Sequence, residues 1–247
     1  MQISAPFGYK KIAPLRRDHK VRLPAIGEIP QFVRSLNAIP ISFTEFGPVA
    51  RDFLIAFTSG DGGKTYAAVA VLGLSPGENL FYDANAWAPG TYLPAYARRY
   101  PFCMARVTLD NVQQPNRLIC VETDHVDDTA GESMFDAEGQ ATEKWKAIER
   151  LLTEYETDLE RCRELCAILA DYALLEPFTM QANLKQGGAL QLAGMHRASE
   201  KKLEALNAAQ LKNLLKKGIL GRIYAHLLSL DNFARLLDRR AGRSQPS

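Results

Sequence analysis

The chain reads as an α+β protein in which a hairpin-rich antiparallel sheet lobe is covered by a long amphipathic helix and a C-terminal helical segment. Three observations predict this. Short apolar runs punctuated by turn residues fill positions 39–124. An apolar seam recurs every three or four residues from Ile148 to Leu169. After Ser199 the pattern becomes helical, with capping residues at intervals. The change of period near Glu143 favours two lobes over two independent domains. The expected organisation is a basic, proline-containing N-terminal arm at 1–37, a mainly β lobe at 38–142, a mainly helical lobe with one hairpin at 143–240, and a disordered tail at 241–247.

In chain order, Lys10, Lys11, Arg16, Arg17, Lys20 and Arg22 cluster among prolines with little periodicity, which suits an arm that wraps the body or moves freely. Ile41 to Thr44 alternates as a strand does. Phe53–Thr58 and Tyr66–Leu74 are strands separated by Ser59-Gly60-Asp61-Gly62-Gly63, a hairpin signal. Leu80–Asp83, Met104–Leu109 and Leu118–Glu122 follow as strands, the last two paired across the polar stretch from Asp110 to Asn116. Between them, Gly90 to Tyr100 forms a short helix that Pro101 stops.

From Glu143 to Tyr172, Ile148, Leu152, Tyr155, Leu159, Cys162, Cys166 and Leu169 line one side of a single helix with Thr142 as its N-cap. Such a seam also suits a coiled-coil homodimer, but a tyrosine and two cysteines in core positions favour packing on the protein's own sheet. Phe178–Leu184 and Ala189–His196 flank Gly187-Gly188 as a second hairpin. Ser199 and Asn207 cap two short helices, Gly218 stops the second, and a final helix runs from Gly221 to about Arg239.

Composition narrows the function classes. With 47% hydrophobic and 23% charged residues the chain resembles soluble globular proteins. A net charge of +2 gives no general attraction to nucleic acid, and no aromatic ring lies between Lys10 and Arg22 to stack on bases. No apolar run reaches the roughly 20 residues of a membrane span. Residues 1–14 lack the apolar centre of a secretory signal, so a cytoplasmic location is the expectation. Cys103, Cys120, Cys162 and Cys166 have neither metal-site spacing nor disulfide-scaffold density, and read as core cysteines, although Cys162 and Cys166 share a helix face.

Each chemistry candidate has a plainer alternative. Gly60-Asp61-Gly62-Gly63-Lys64-Thr65 resembles the end of a phosphate loop, but Thr58 stands where the first glycine belongs and a strand pattern follows, so a hairpin turn is expected. His125 and Asp127, after Glu122 and Asp124, fit two ligands of a two-histidine, one-carboxylate iron site, with His196 or His226 as the third. The plain reading is a solvated acidic loop. His226 could act as a base with Ser229 beside it, but a histidine capping a helix or bridging helix to sheet is the better expectation. Tyr92-Leu-Pro-Ala-Tyr96-Ala-Arg98-Arg99-Tyr100-Pro-Phe102 gathers four aromatics and an arginine pair. Trp87, Tyr92, Tyr96, Arg98, Arg99 and Tyr100 are therefore the candidate ligand- or partner-binding residues. Their plain reading has one arginine paired to a buried carboxylate such as Asp83 or Glu122, with the rings filling the core.

Several separated blocks resemble the SapC family in its order: Gly73-Leu74, Glu78 to Phe81, Trp87, Tyr92 with Pro94, Arg98 to Phe102, Met134 to Asp136, Gly139, and Ile223 to Leu227 with Ser229 and Asn232. The resemblance covers roughly Ala38 to Arg240. It is to the bacterial SapC-like proteins, not to the peptide-transporter permease of the same name. It implies an accessory role in a bacterial pathway; no cofactor is expected. The expected function is a non-catalytic binding component for a small ligand, a peptide or a pathway protein. The alternatives are a metal-dependent enzyme acting on an amino-acid or peptide side chain through His125 and Asp127, and a surface-layer structural protein suggested by the family's name.

Overall fold

A computed structural model describes residues 2–25, 27–83, 86–110, 112–114, 117–183 and 189–243. The basic N-terminal segment supplies three short strands, β1 (Gln2–Ser4), β2 (Ile12–Pro14) and β3 (Lys20–Val21), then a 3-10 turn at Gln31–Ser35. Strand β4 (Ala38–Pro40) follows, and a second 3-10 turn at Phe43–Glu45 opens helix α1 (Phe46–Asp52). The strand expected at Ile41–Thr44 is therefore displaced. Ser42 and Glu45 have capping-box spacing, and the Ser42 amide donates to Glu45 Oε2 at 2.8 Å, which turns the chain into a helix. Pro48 falls in the first turn of α1, where its missing N–H has no helical partner to lose.

Strands β5 (Leu54–Thr58) and β6 (Ala67–Val71) form the predicted hairpin, in register from Leu54↔Val71 to Thr58↔Ala67. The 80–83 strand shortens to β7 (Tyr82–Asp83), paired with β8 (Ala86–Trp87). Helix α2 (Ala95–Arg98) carries the arginine pair's first member. Strands β9 (Phe102–Leu109) and β11 (Leu118–Glu122) pair antiparallel as predicted, and β10 (Val112–Gln113) folds back on β9. After β12 (Glu132–Ser133) comes α3 (Glu143–Asp171), with Thr142 Oγ1 accepting from the Trp145 amide at 3.2 Å as the anticipated cap.

Strands β13 (Leu175–Asn183) and β14 (Ala189–Ala198) form the second hairpin, whose turn at Gly187-Gly188 lies outside the described residues. Ser199 and Asn207 precede α4 (Glu200–Glu204) and α5 (Ala208–Lys216), and Asn207 Oδ1 accepts from the Gln210 amide at 2.9 Å. The single final helix is instead two, α6 (Ile219–Ser229) and α7 (Asn232–Arg243). Ser229 Oγ donates to the His226 carbonyl at 2.6 Å within the last turn of α6, and Asn232 Nδ2 donates to the distant Ala50 and Phe53 carbonyls, so the tertiary hydrogen bonds of Asn232 fix the break. Helix α7 carries order as far as Arg243, past the expected start of the tail, and 244–247 lie outside the described residues.

The architecture is α+β, and the chain divides into two compact units, each built from two stretches of sequence. The first comprises 1–33 and 96–157. Its sheet has the order β1-β9-β11-β2, with β10 on β9, and β12 pairs with β3 separately. Val21, Phe102, Val121, Met134, Trp145 and Leu152 make one core cluster, and Tyr9, Cys103, Ala105 and Cys120 make a second. The second unit comprises 34–95 and 158–247, with the sheet order β13-β14-β5-β6-β4. Its buried centre includes Ile39, Phe43, Phe46, Leu54, Ile55 and Phe57.

Candidate functional site

The part of the aromatic and arginine segment that lies in the first unit, from Tyr96 on, packs around Arg99. Arg99 is 3% exposed, and its guanidinium lies 4.3 Å from the Tyr96 ring centre, 4.8 Å from Tyr155 and 5.6 Å from Tyr9. Its carboxylate partner is Glu156 of α3, at 3.4 Å, which Arg117 also engages. The expected partners were different. Glu122 instead accepts the Lys10 and Lys11 amides at 3.0 and 2.8 Å, which fastens the basic segment to β11. The Tyr9 and Tyr96 hydroxyls donate to the carbonyls of Phe102 and Phe7, so both rings are fixed around the cation. Burial raises the Tyr9 hydroxyl pKa well above its ordinary value. Arg98 faces outward, and half-buried Tyr100 meets His125 edge to face at 4.9 Å.

Trp87 and Tyr92 belong to the second unit. The Trp87 ring stacks on Phe81, with Phe53 on a further side, and is largely buried. The Tyr92 amide donates to Asp52 Oδ2 at 2.8 Å, and its hydroxyl donates to Glu45 Oε1 at 3.0 Å. Buried Glu45 also takes the Ala95 amide at 2.6 Å and the Ser42 hydroxyl at 2.8 Å. Sequence reasoning missed it. The only signal was Ser42-x-x-Glu45 ahead of an apolar residue.

The candidate reactive groups are occupied by backbone contacts. His125 Nδ1 lies 2.7 Å from the Arg22 carbonyl, and Asp127 Oδ1 accepts from the Thr129 amide, the Thr129 hydroxyl and the Ala130 amide. These hydrogen bonds, the Ala130 amide foremost, hold the Asp127 carboxyl down at about 2. Among the described residues, no three His, Cys, Asp or Glu side chains converge as a metal site would require.

His226 bridges helix to sheet, its Nε2 accepting from the Ala198 amide at 3.0 Å and its Nδ1 donating to the Ile55 carbonyl at 3.0 Å. That pattern requires the neutral ring, and burial lowers its pKa to about 4. Ser229 does not address the ring. Its Oγ accepts from the Ile55 amide at 2.9 Å. The 59–65 segment is the hairpin turn, with Asp61 collecting the Lys64 and Thr65 amides.

One open concavity of this unit lies elsewhere. A cleft of about 480 Å³ runs between the C-terminal half of α3 and the start of β6. On the helix side, Leu159, Cys162, Arg163, Cys166, Ala167 and Ala170 form one face at helical spacing. Ile41, Tyr66, Ala67 and Ala68 form the opposite wall, and Lys64 and Thr65 border it. The space exists because alanines occupy both walls where a core would place larger side chains. The shared face of Cys162 and Cys166 was the one trace of this cleft in the sequence. The Cys162 thiol donates to the Ile41 carbonyl at 3.5 Å, and its hydrogen bond with Cys166, together with burial, raises its pKa, so this thiol is uncharged.

The side chains around Arg99, Glu45, Asp127 and His226 hold the local fold, and the second unit contains an apolar cleft. The chain belongs to the SapC family, whose profile matches residues 17–236. No curated protein and no solved structure matches it. Among the described residues, no helix is long and apolar enough to cross a membrane.

Proposed function

We propose that this protein is a non-catalytic binding component of a bacterial pathway, and that the cleft between α3 and β6 holds its ligand. One observation carries the reading: the cleft is apolar, open and of small-molecule size, while His125, Asp127, His226 and Ser229 are engaged by backbone groups. Binding at such a site needs no reactive group, only unfilled apolar surface with a few polar groups at its border. A reducing, cytoplasmic setting agrees with the cysteines. Cys103 and Cys120 are register partners on adjacent strands and stay unjoined, as do Cys162 and Cys166.

The test is a fluorescence titration of the full chain with the neutral apolar probe N-phenyl-1-naphthylamine, beside Ala167→Trp. Ala167 is exposed on α3, so the new ring enters the cleft without displacing core. Saturable binding that the variant abolishes is expected. Absent binding, or equal binding by both proteins, would refute the reading.

A further inference from the structure

The cleft's border carries a charge pattern that narrows the ligand. The charged side chains among its lining residues are Lys64 and Arg163, and both are cations. Asp61 sits nearby, but its carboxylate is turned into its own loop, where it accepts the Lys64 and Thr65 amides and the Thr65 hydroxyl. Glu160 engages one Arg163 nitrogen at the surface, which leaves the rest of a five-donor guanidinium. The ammonium of Lys64 forms no ion pair among the described residues. Behind the two cations lie the thiol floor and the alanine and leucine walls.

The same loop argues against a phosphate-bearing ligand. A phosphate cradle needs free backbone N–H groups, and here the amides of Gly63, Lys64 and Thr65 are bound to Ser59 Oγ and Asp61 Oδ1 at 2.7, 3.0 and 2.9 Å. What remains is two flexible or forked side-chain cations at the mouth of an apolar slot. Gly63, at φ +91°, keeps the slot's wall in place, since a Cβ there would sit 3.1 Å from the Tyr66 hydroxyl oxygen.

We infer that the cleft takes an amphipathic monocarboxylate, with the apolar body against Leu159, Cys162, Cys166 and Ala170 and the carboxylate at Lys64 and Arg163. This inference rests on the cleft being a ligand site at all, and one experiment separates the two claims. Dodecanoate, dodecanol and dodecyltrimethylammonium are titrated calorimetrically, each below its micelle concentration, into the wild-type chain, the Lys64→Gln/Arg163→Gln double variant and Ala167→Trp. Charge-assisted hydrogen bonds predict that dodecanoate binds the wild type about tenfold or more tighter than dodecanol, and that the double variant narrows this to about twofold with dodecanol unchanged. The cationic amphiphile should bind least. Equal affinity for acid and alcohol, or a preference that survives in the double variant, overturns the carboxylate inference while leaving the cleft as an apolar site. Failure of all three probes to bind, or binding that persists in Ala167→Trp, overturns the cleft itself.

Discussion

Arginine and tyrosine occur both in the Arg99 cluster of the first unit and in the α3–β6 cleft of the second, and the two regions use them in opposite ways. Around Arg99 three rings and the Glu156 carboxylate close over the cation. Around the cleft, Lys64 and Arg163 stay at the border of a space that alanines leave unfilled. Burial decides the difference. A desolvated guanidinium must be matched within the chain or it destabilises the fold, whereas a solvated one can wait for a ligand at little cost. An aromatic and arginine-rich segment in a sequence is therefore as compatible with a core as with a recognition surface.

The strongest way to break this comparison is Arg99→Ala. It leaves three tyrosines around a void and should lower stability by about 3–5 kcal/mol in urea denaturation. A loss below about 1 kcal/mol would mean that the cluster is not structural. Next, Glu45→Ala strands the Ser42 and Ala95 amides and the Tyr92 hydroxyl, and a loss of about 2–4 kcal/mol is expected in the same measurement.

The His226 bridge makes stability pH-dependent. The unfolded ring takes a proton from about pH 6.5 downward, while the folded ring refuses one until about 4. Stability from this group is thus complete above pH 6.5, declines as pH falls through that window by up to roughly 3 kcal/mol, and levels off below it. Denaturation curves at pH 7, 6, 5 and 4 should show the decline, and His226→Gln should lose stability at pH 7 but flatten the slope. An unchanged slope in that variant would place the pH dependence elsewhere. Smallest of all, Lys64→Gln and Arg163→Gln should each shift stability by no more than about 0.5 kcal/mol, since both side chains are exposed. A larger loss would turn the cleft's cations into structural groups and erase the contrast with Arg99.

Local patterns were legible where one physical rule dominated. The seam from Ile148 to Leu169 specified α3, because no other conformation places those residues on one face. Glycines and Asp61 between two β-branched or apolar runs specified the β5–β6 hairpin and argued against a phosphate loop. His226 was expected to cap a helix or bridge helix to sheet, and it is the bridge that forms, to Ile55 and Ala198 in distant segments. The break between α6 and α7 was illegible, since it depends on Asn232 reaching carbonyls about 180 positions away.

The sequence by itself determined the family, the α+β class and most element positions, because periodicity, capping and turn residues act over a few neighbours. Tertiary structure alone decided that Arg99 pairs with Glu156, that Glu45 anchors Tyr92 and Ala95, and that the units interleave the sequence as 1–33 with 96–157 and 34–95 with 158–247. It also decided where this cleft lies. A cleft is an absence of packing between residues far apart in the chain, so alanines at 67, 68, 167 and 170 say nothing until the fold sets them face to face.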